Sequence, residues 1–191
     1  KVEHTTRCKS FMQCEFTLKK FNLKSFPQEF NFFLCPKSTF KPSSKQKKEL
    51  VFDLSRSIDL HLLSTKKTNE KAIAGKTSGL MELNDTVTWR AKNLGIYQNL
   101  TSKITEFEKP NYFVDEMVKG VFKSFKHEHF FEDSKNGTLM VDIFVYQSPL
   151  GFLGKLANKL FLKKHMTSFL IERNNVIKES AESEKWKEIL K

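Results

Sequence analysis

From Asp85 onward, hydrophobic and polar residues alternate with a period of two, as they do in a strand with one face buried and the other wet. In DTVTWRA (85–91), Val87, Trp89 and Ala91 share one face, and Thr86, Thr88 and Arg90 share the other. Gly95 closes this strand, a second spans 96–107 with Leu100 and Ile104 on one side, and Lys109-Pro110-Asn111 turns the chain. YFVDEMV (112–118) predicts a third strand ended by Gly120. VFKSFKHEHFF (121–131) predicts a fourth, which an Asn136-Gly137 hairpin joins to a fifth, TLMVDIFVYQ (138–147). Five strands linked by short turns make an antiparallel meander.

Elsewhere the spacing is mostly helical. Ser43 and Gln46 form a capping-box pattern ahead of Leu50, Val51, Leu54 and Ile58, which predicts a helix over about 44–62. Before it, 30–40 supplies a first strand; after it, 68–81 reads as a short strand bent at Gly75 and Gly79. Ser148-Pro149 opens the last element, where Leu153, Leu156, Ala157, Leu160, Phe161, Phe169, Leu170, Val176 and Ile177 recur at helical spacing to about residue 180. A stripe that long needs a sheet to lie on, and the meander provides one. The expected class is therefore α+β.

A chain of 191 residues can bury enough apolar surface for one domain. We expect an N-terminal extension over 1–36, which mixes Phe, Lys and Cys without a sustained period, a folded domain over 37–180 and a tail over 181–191. The net charge of +11 suggests nucleic acid, but 1–50 carry 11 Lys and Arg against 4 Asp and Glu, leaving a mildly basic body. Nucleic-acid binding thus ranks last, because the basic region lacks the ordered aromatic and basic alternation of a stacking platform. Cys8, Cys14 and Cys35 are odd in number and match no zinc spacing with a His partner, which favours a reducing compartment over a disulfide framework. No apolar run reaches the ~20 residues of a membrane span and the sequence does not open on a secretory apolar stretch, so a cytoplasmic location is expected.

Candidate chemistry gathers on two neighbouring strands. His127 and His129 lie two apart and project to one face with Phe125 and Phe131; Met140, Asp142, Phe144 and Tyr146 form a similar face on the next strand. His127, His129 and Asp142, with Asp115 from the preceding strand, could orient a ligand head group or form a buried hydrogen-bond network that fixes register. Two histidines and a carboxylate can also supply three metal ligands, but H-x-H on a strand is a weak metal signature and no metal site is assigned. Trp89, Phe113, Met117, Phe125, Met140, Phe144 and Tyr146 are the apolar candidates for a pocket lining. Gly-rich phosphate loops and the G-x-S-x-G elbow are absent from the sequence, and no cofactor is expected. On the last helix Lys155, Lys159, Lys163 and Lys164 make a solvated face, with transient contact to an anionic membrane as an alternative role.

TWRAK (88–92), KITEFEKPNYFVDEMVKGVFKSFKHEHFFE (103–132) and NGTLMVDIFVYQSPLGFLGKLANKLF (136–161) together resemble the ligand-binding branch of the SRPBCC superfamily, the START, polyketide-cyclase and birch-pollen-allergen-like fold, over about 37–180. The resemblance implies a helix-grip domain: one strand, two short helices, six further strands and a long C-terminal helix gripped by the curved sheet. That superfamily includes lipid and hormone carriers, cyclases and chaperone-associated modules, so it does not name a reaction. The leading expectation is noncatalytic binding or carriage of a hydrophobic small molecule or lipid. The alternative is a cyclase or dehydratase using His127 or His129 as general acid or base.

Overall fold

The computed structural model describes residues 31–34, 38–40, 47–93, 95–135, 137–148 and 162–191. Expectations for 1–30, the three cysteines and the opening half of the last helix lie outside them. The described residues belong to one unit, Asn31–Lys191.

Strands β1 (Asn31–Leu34), β2 (Ser38–Phe40), β3 (Lys71–Gly75), β4 (Thr86–Asn93), β5 (Ile96–Glu108), β6 (Tyr112–Lys119), β7 (Ser124–Ser134) and β8 (Gly137–Gln147) form one antiparallel sheet. Its order is β1-β8-β7-β6-β5-β4-β3, and β2 also pairs with β8. The sequence places the five meander strands to within a few residues. The first strand, read as continuous over 30–40, is two pieces laid along β8: Asn31 sits opposite Tyr146 and Ser38 opposite Met140. Pairing with β8 therefore starts inside the expected 1–36 extension.

Inward faces follow the alternation: Val87, Trp89 and Ala91 are buried on β4, as are Phe125, His127, His129 and Phe131 on β7. Register shifts in β5, between Thr101 and Ser102 and between Ile104 and Glu106, interrupt that simple period. Each is the mark of a bulge, which bends a strand and raises its twist. The second one lets both Ile104 and Phe107 serve the core, although they lie three positions apart, an odd offset. Gly75 ends β3 at φ +71, where a Cβ would stand 2.2 Å from the Thr86 carbonyl oxygen; only glycine fits there without displacing backbone.

The helix expected over 44–62 is two helices, α1 (Lys47–Ser55) and α2 (Ile58–Ser64). The break is built by Ser57, whose extended backbone (φ −79, ψ 124) and side chain, accepting from the Leu60 N–H, cap α2. Polar backbone freed at the break is reused: Arg56 C=O accepts from Met81 N–H, and Gly79 C=O accepts from Ile58 N–H, both at 3.0 Å. The apolar spacing runs straight through this break, so periodicity alone reads one helix where capping makes two.

The long helix α3 (Lys163–Glu182) buries Leu170, Arg173, Asn174, Ile177, Ser180 and Ala181, a stripe at three- and four-residue spacing that packs on α1, α2 and β2. A short helix α4 (Trp186–Ile189) follows where a tail was expected, and Trp186, Ile189 and Leu190 pack against the main core. That core centres on Phe52, which meets Phe107, Phe113 and Phe131 edge-on at centroid distances of 5.4, 5.5 and 5.2 Å. Edge-to-face contact of this kind adds about 0.5–1.5 kcal/mol per pair beyond burial. Among the described residues no helix is long and apolar enough to cross a membrane.

Candidate functional site

Between α3 and the sheet lies a cavity of about 640 Å3. The sheet opens for it where β6 and β7 part. Their pairing stops at Glu116–Lys126, and Val121 and Phe122 from the connecting loop enter the lining. Trp89, Leu100, Phe125 and Phe144 supply apolar wall from the sheet, and Leu162, Met166 and Phe169 supply it from the helix side.

Of the eleven residues singled out from the sequence, Trp89, Phe113, Asp115, Phe125, His127 and Phe144 line this cavity. Met117, His129, Met140, Asp142 and Tyr146 do not, and other side chains cover the last four. Met140 lies under the end of α1, where the Ser55 hydroxyl donates to its sulfur at 3.2 Å. Asp142 lies under α3, accepting from Asn174 Nδ2 at 2.7 Å. His129 is sealed by Phe113, stacked at 4.2 Å, and Tyr146 belongs to the packed face around Leu170. Met117 is partly buried beside that cluster.

Strand register creates the polar end of the cavity. Asp115 pairs with His127 across β6 and β7, and His129 pairs with Asp142 across β7 and β8. His129 Nδ1 stands 2.6 Å from Asp142 Oδ1, and its Nε2 stands 3.2 Å from Asp115 Oδ2. With a carboxylate at each nitrogen, the free ring can donate to both only in its doubly protonated form. His127 Nδ1 is 3.5 Å from Asp115 Oδ2, and its Nε2 is 3.9 Å from Asp142 Oδ1, too far for a hydrogen bond.

Burial and the charges of neighbouring side chains compete in this cluster. Burial wins at His127. It pushes the His127 imidazole down to about 3, helped by the charge of His129 and opposed by Asp115 and Asp142. Burial works to raise Asp142, but the charge and hydrogen bond of His129, with His127 and Arg173 behind them, hold its carboxyl well below the ordinary range. Asp115 is also held low: burial is outweighed by His127, by the His129 hydrogen bond and by Arg173.

Two members of the cluster escaped the sequence reading. Arg173 lines the cavity, donates from Nη2 to the Ser55 carbonyl at 2.6 Å and approaches Asp142 Oδ2 with Nη1 at 3.8 Å; Asn174 donates to that same oxygen. The available signal was a charged Arg and an Asn occupying the apolar stripe between Leu170 and Ile177. A second polar pair, His61 Nε2 to Glu70 Oε2 at 3.2 Å, borders the cavity where the His61 ring stacks on Trp89 at 4.1 Å. Arg56 also lines it, but Asp53, Glu82 and the Met81 carbonyl hold its guanidinium.

No family model matches the sequence, and no curated protein matches it. Solved structures match the fold. TTHA0849 from Thermus thermophilus aligns with a TM-score of 0.59 at 15% identity, over 80% of this chain and 99% of that one. Ginseng major latex-like protein 151 from Panax ginseng gives 0.58 at 12% identity, over 81% and 99%. Ara h 8.0201 gives 0.52 at 11% identity, over 78% and 97%. Likeness at such low identity speaks for architecture, and it agrees with the sheet order and the gripped helix: the chain has a helix-grip fold.

Proposed function

We propose that this protein binds or carries a hydrophobic small molecule or lipid inside the cavity without transforming it. The observation that supports the reading most directly is the cavity itself: about 640 Å3 with mostly apolar walls and one polar end. Pockets for small ligands run to about 300–1,000 Å3, with a few placed polar groups that orient the ligand. Apolar contacts with Trp89, Leu100, Phe144 and Phe169 supply affinity, and His127 and Asp115 receive the polar head group. Burial of His127 disfavours acid–base work near neutral pH, since a catalytic base functions best with a pKa near the working pH.

Native mass spectrometry of freshly purified protein tests the proposal. The expected result is a retained adduct of small-molecule or lipid mass, released on denaturation. A naked chain that also fails to bind a fluorescent apolar probe overturns the reading.

A further inference from the structure

We propose that Asp115, His127 and His129 form a binding site for one divalent transition-metal ion, of the zinc or cobalt(II) kind, at the polar end of the cavity. The three side chains each offer a donor atom, and these donors lie within 4.8 Å of one another. They converge through the pairing of β6 with β7, a rigid support.

The orientation of the two rings carries the inference. Each imidazole turns one nitrogen toward Asp115 and the other toward Asp142. His129 presents Nε2 to Asp115 Oδ2 at 3.2 Å and Nδ1 to Asp142 Oδ1 at 2.6 Å. His127 presents Nδ1 to the same Asp115 oxygen at 3.5 Å and Nε2 toward the same Asp142 oxygen at 3.9 Å. Histidines that ligate metals characteristically give their second nitrogen to a carboxylate or carbonyl, which fixes the tautomer and aims the ring. Here the buried Asp142 carboxylate backs the His129 ring by a hydrogen bond and lies 3.9 Å from the second nitrogen of His127, and Asn174 in turn holds that carboxylate at 2.7 Å.

Distances agree with this geometry. A tetrahedral ion with nitrogen and oxygen ligands at about 2.0–2.1 Å separates its donors by roughly 3.3 Å, and the two observed separations from Asp115 fall on either side of that value. The third edge, between the two histidines, is within 4.8 Å and shortens when the ion binds. In such a site the ion takes the place of the proton between His129 Nε2 and Asp115. Two imidazoles and one carboxylate suit zinc or its neighbours better than magnesium or calcium, which prefer oxygen. Three protein ligands leave at least one coordination position, and it faces the cavity that Asp115 and His127 line.

The test is titration of chelator-stripped protein with cobalt(II), followed by visible absorption, and with zinc by calorimetry. One ion per chain is expected, with the cobalt band lost on adding zinc. Asp142→Asn should weaken zinc by about 10–100-fold, and His127→Ala and Asp115→Asn should each weaken it further. Circular dichroism checks that every variant is folded; should His127→Ala fail to fold, the near-isosteric Asp115→Asn decides. Absence of a cobalt band in folded wild-type protein, or zinc affinity unchanged by Asp115→Asn, overturns the proposal and leaves the cluster as a proton-bridged network. The probe and mass measurements proposed above are repeated on stripped protein, so apolar-ligand binding and ion binding stand or fall separately.

Discussion

Two apolar clusters share this domain and are finished differently. Around Phe52 the helices α1 and α2, the middle strands and the end of α3 pack tightly: Val51, Phe52, Leu54, Ile58 and Ile177 are all at 1% exposure or less, and the cluster meets the cavity at Ile58, Trp89 and Phe113. Around Phe144, by contrast, only Phe125, Phe144, Tyr146 and Leu170 are buried, while Leu100, Met117, Phe122, Leu162, Met166 and Phe169 remain partly open. The residue types are the same in both. What differs is the cover: α1 fills the curve of the sheet at one end, and toward the other the end of α1, the start of α2 and α3 together span it, leaving the cavity. The His/Asp/Arg network lies at the boundary between them. Stability should therefore reside mainly in the first cluster and ligand capacity in the second.

Substitutions in each region can break that division. Phe52→Ala should have the largest effect, removing three edge-on aromatic contacts from a closed core and costing about 3–5 kcal/mol in denaturant titration. The folded fraction should still retain an apolar probe, and loss of that retention would show that the clusters are not separable. Asp142→Asn comes next, because it leaves His129 and Arg173 facing a neutral amide in a buried site; about 3 kcal/mol should be lost. A shift in the denaturation midpoint worth less than about 1 kcal/mol would place the network outside the stabilising core.

Met166→Trp sharpens the comparison from the other side. Narrowing the cavity at a partly open wall should weaken probe binding while changing stability by less than about 1.5 kcal/mol. If binding is unchanged, the probe does not occupy the volume beside Met166. The smallest effect belongs to the periphery. The hydrogen bond from Lys76 at 2.7 Å, aided by the Glu82 N–H and the charge of Lys76, holds Asp85 below the ordinary carboxylate range. A depressed carboxyl stabilises the fold above its unfolded pKa, and the contribution disappears as pH falls through the folded value. Lys76→Met should accordingly cost under about 1 kcal/mol near neutral pH, discounted for exposure, and the gap from wild type should close in acid.

Much of the architecture was legible because alternation is local. Val87, Trp89 and Ala91 face inward for the same reason that His127 and His129 do: successive side chains of a strand point to opposite faces. Less legible was the helix pair α1 and α2, since the apolar spacing continues across Ser57 while the chain's hydrogen bonding does not. The β5 bulges were hidden too, because an inserted residue leaves no compositional mark.

The sequence by itself determined which residues share a face, that a long apolar helix needs a sheet beneath it, and that two histidines and two aspartates could meet. Tertiary structure alone decided how completely each face is covered. Phe144 and Met140 flank Asp142 at the same spacing on one strand, yet Phe144 borders open space while Met140 is sealed by Ser55. The packing of α3 also brought Arg173 and Asn174, distant in sequence, over Asp142. The physical reason is that periodicity fixes the direction of a side chain, whereas the space in front of it depends on where another element packs.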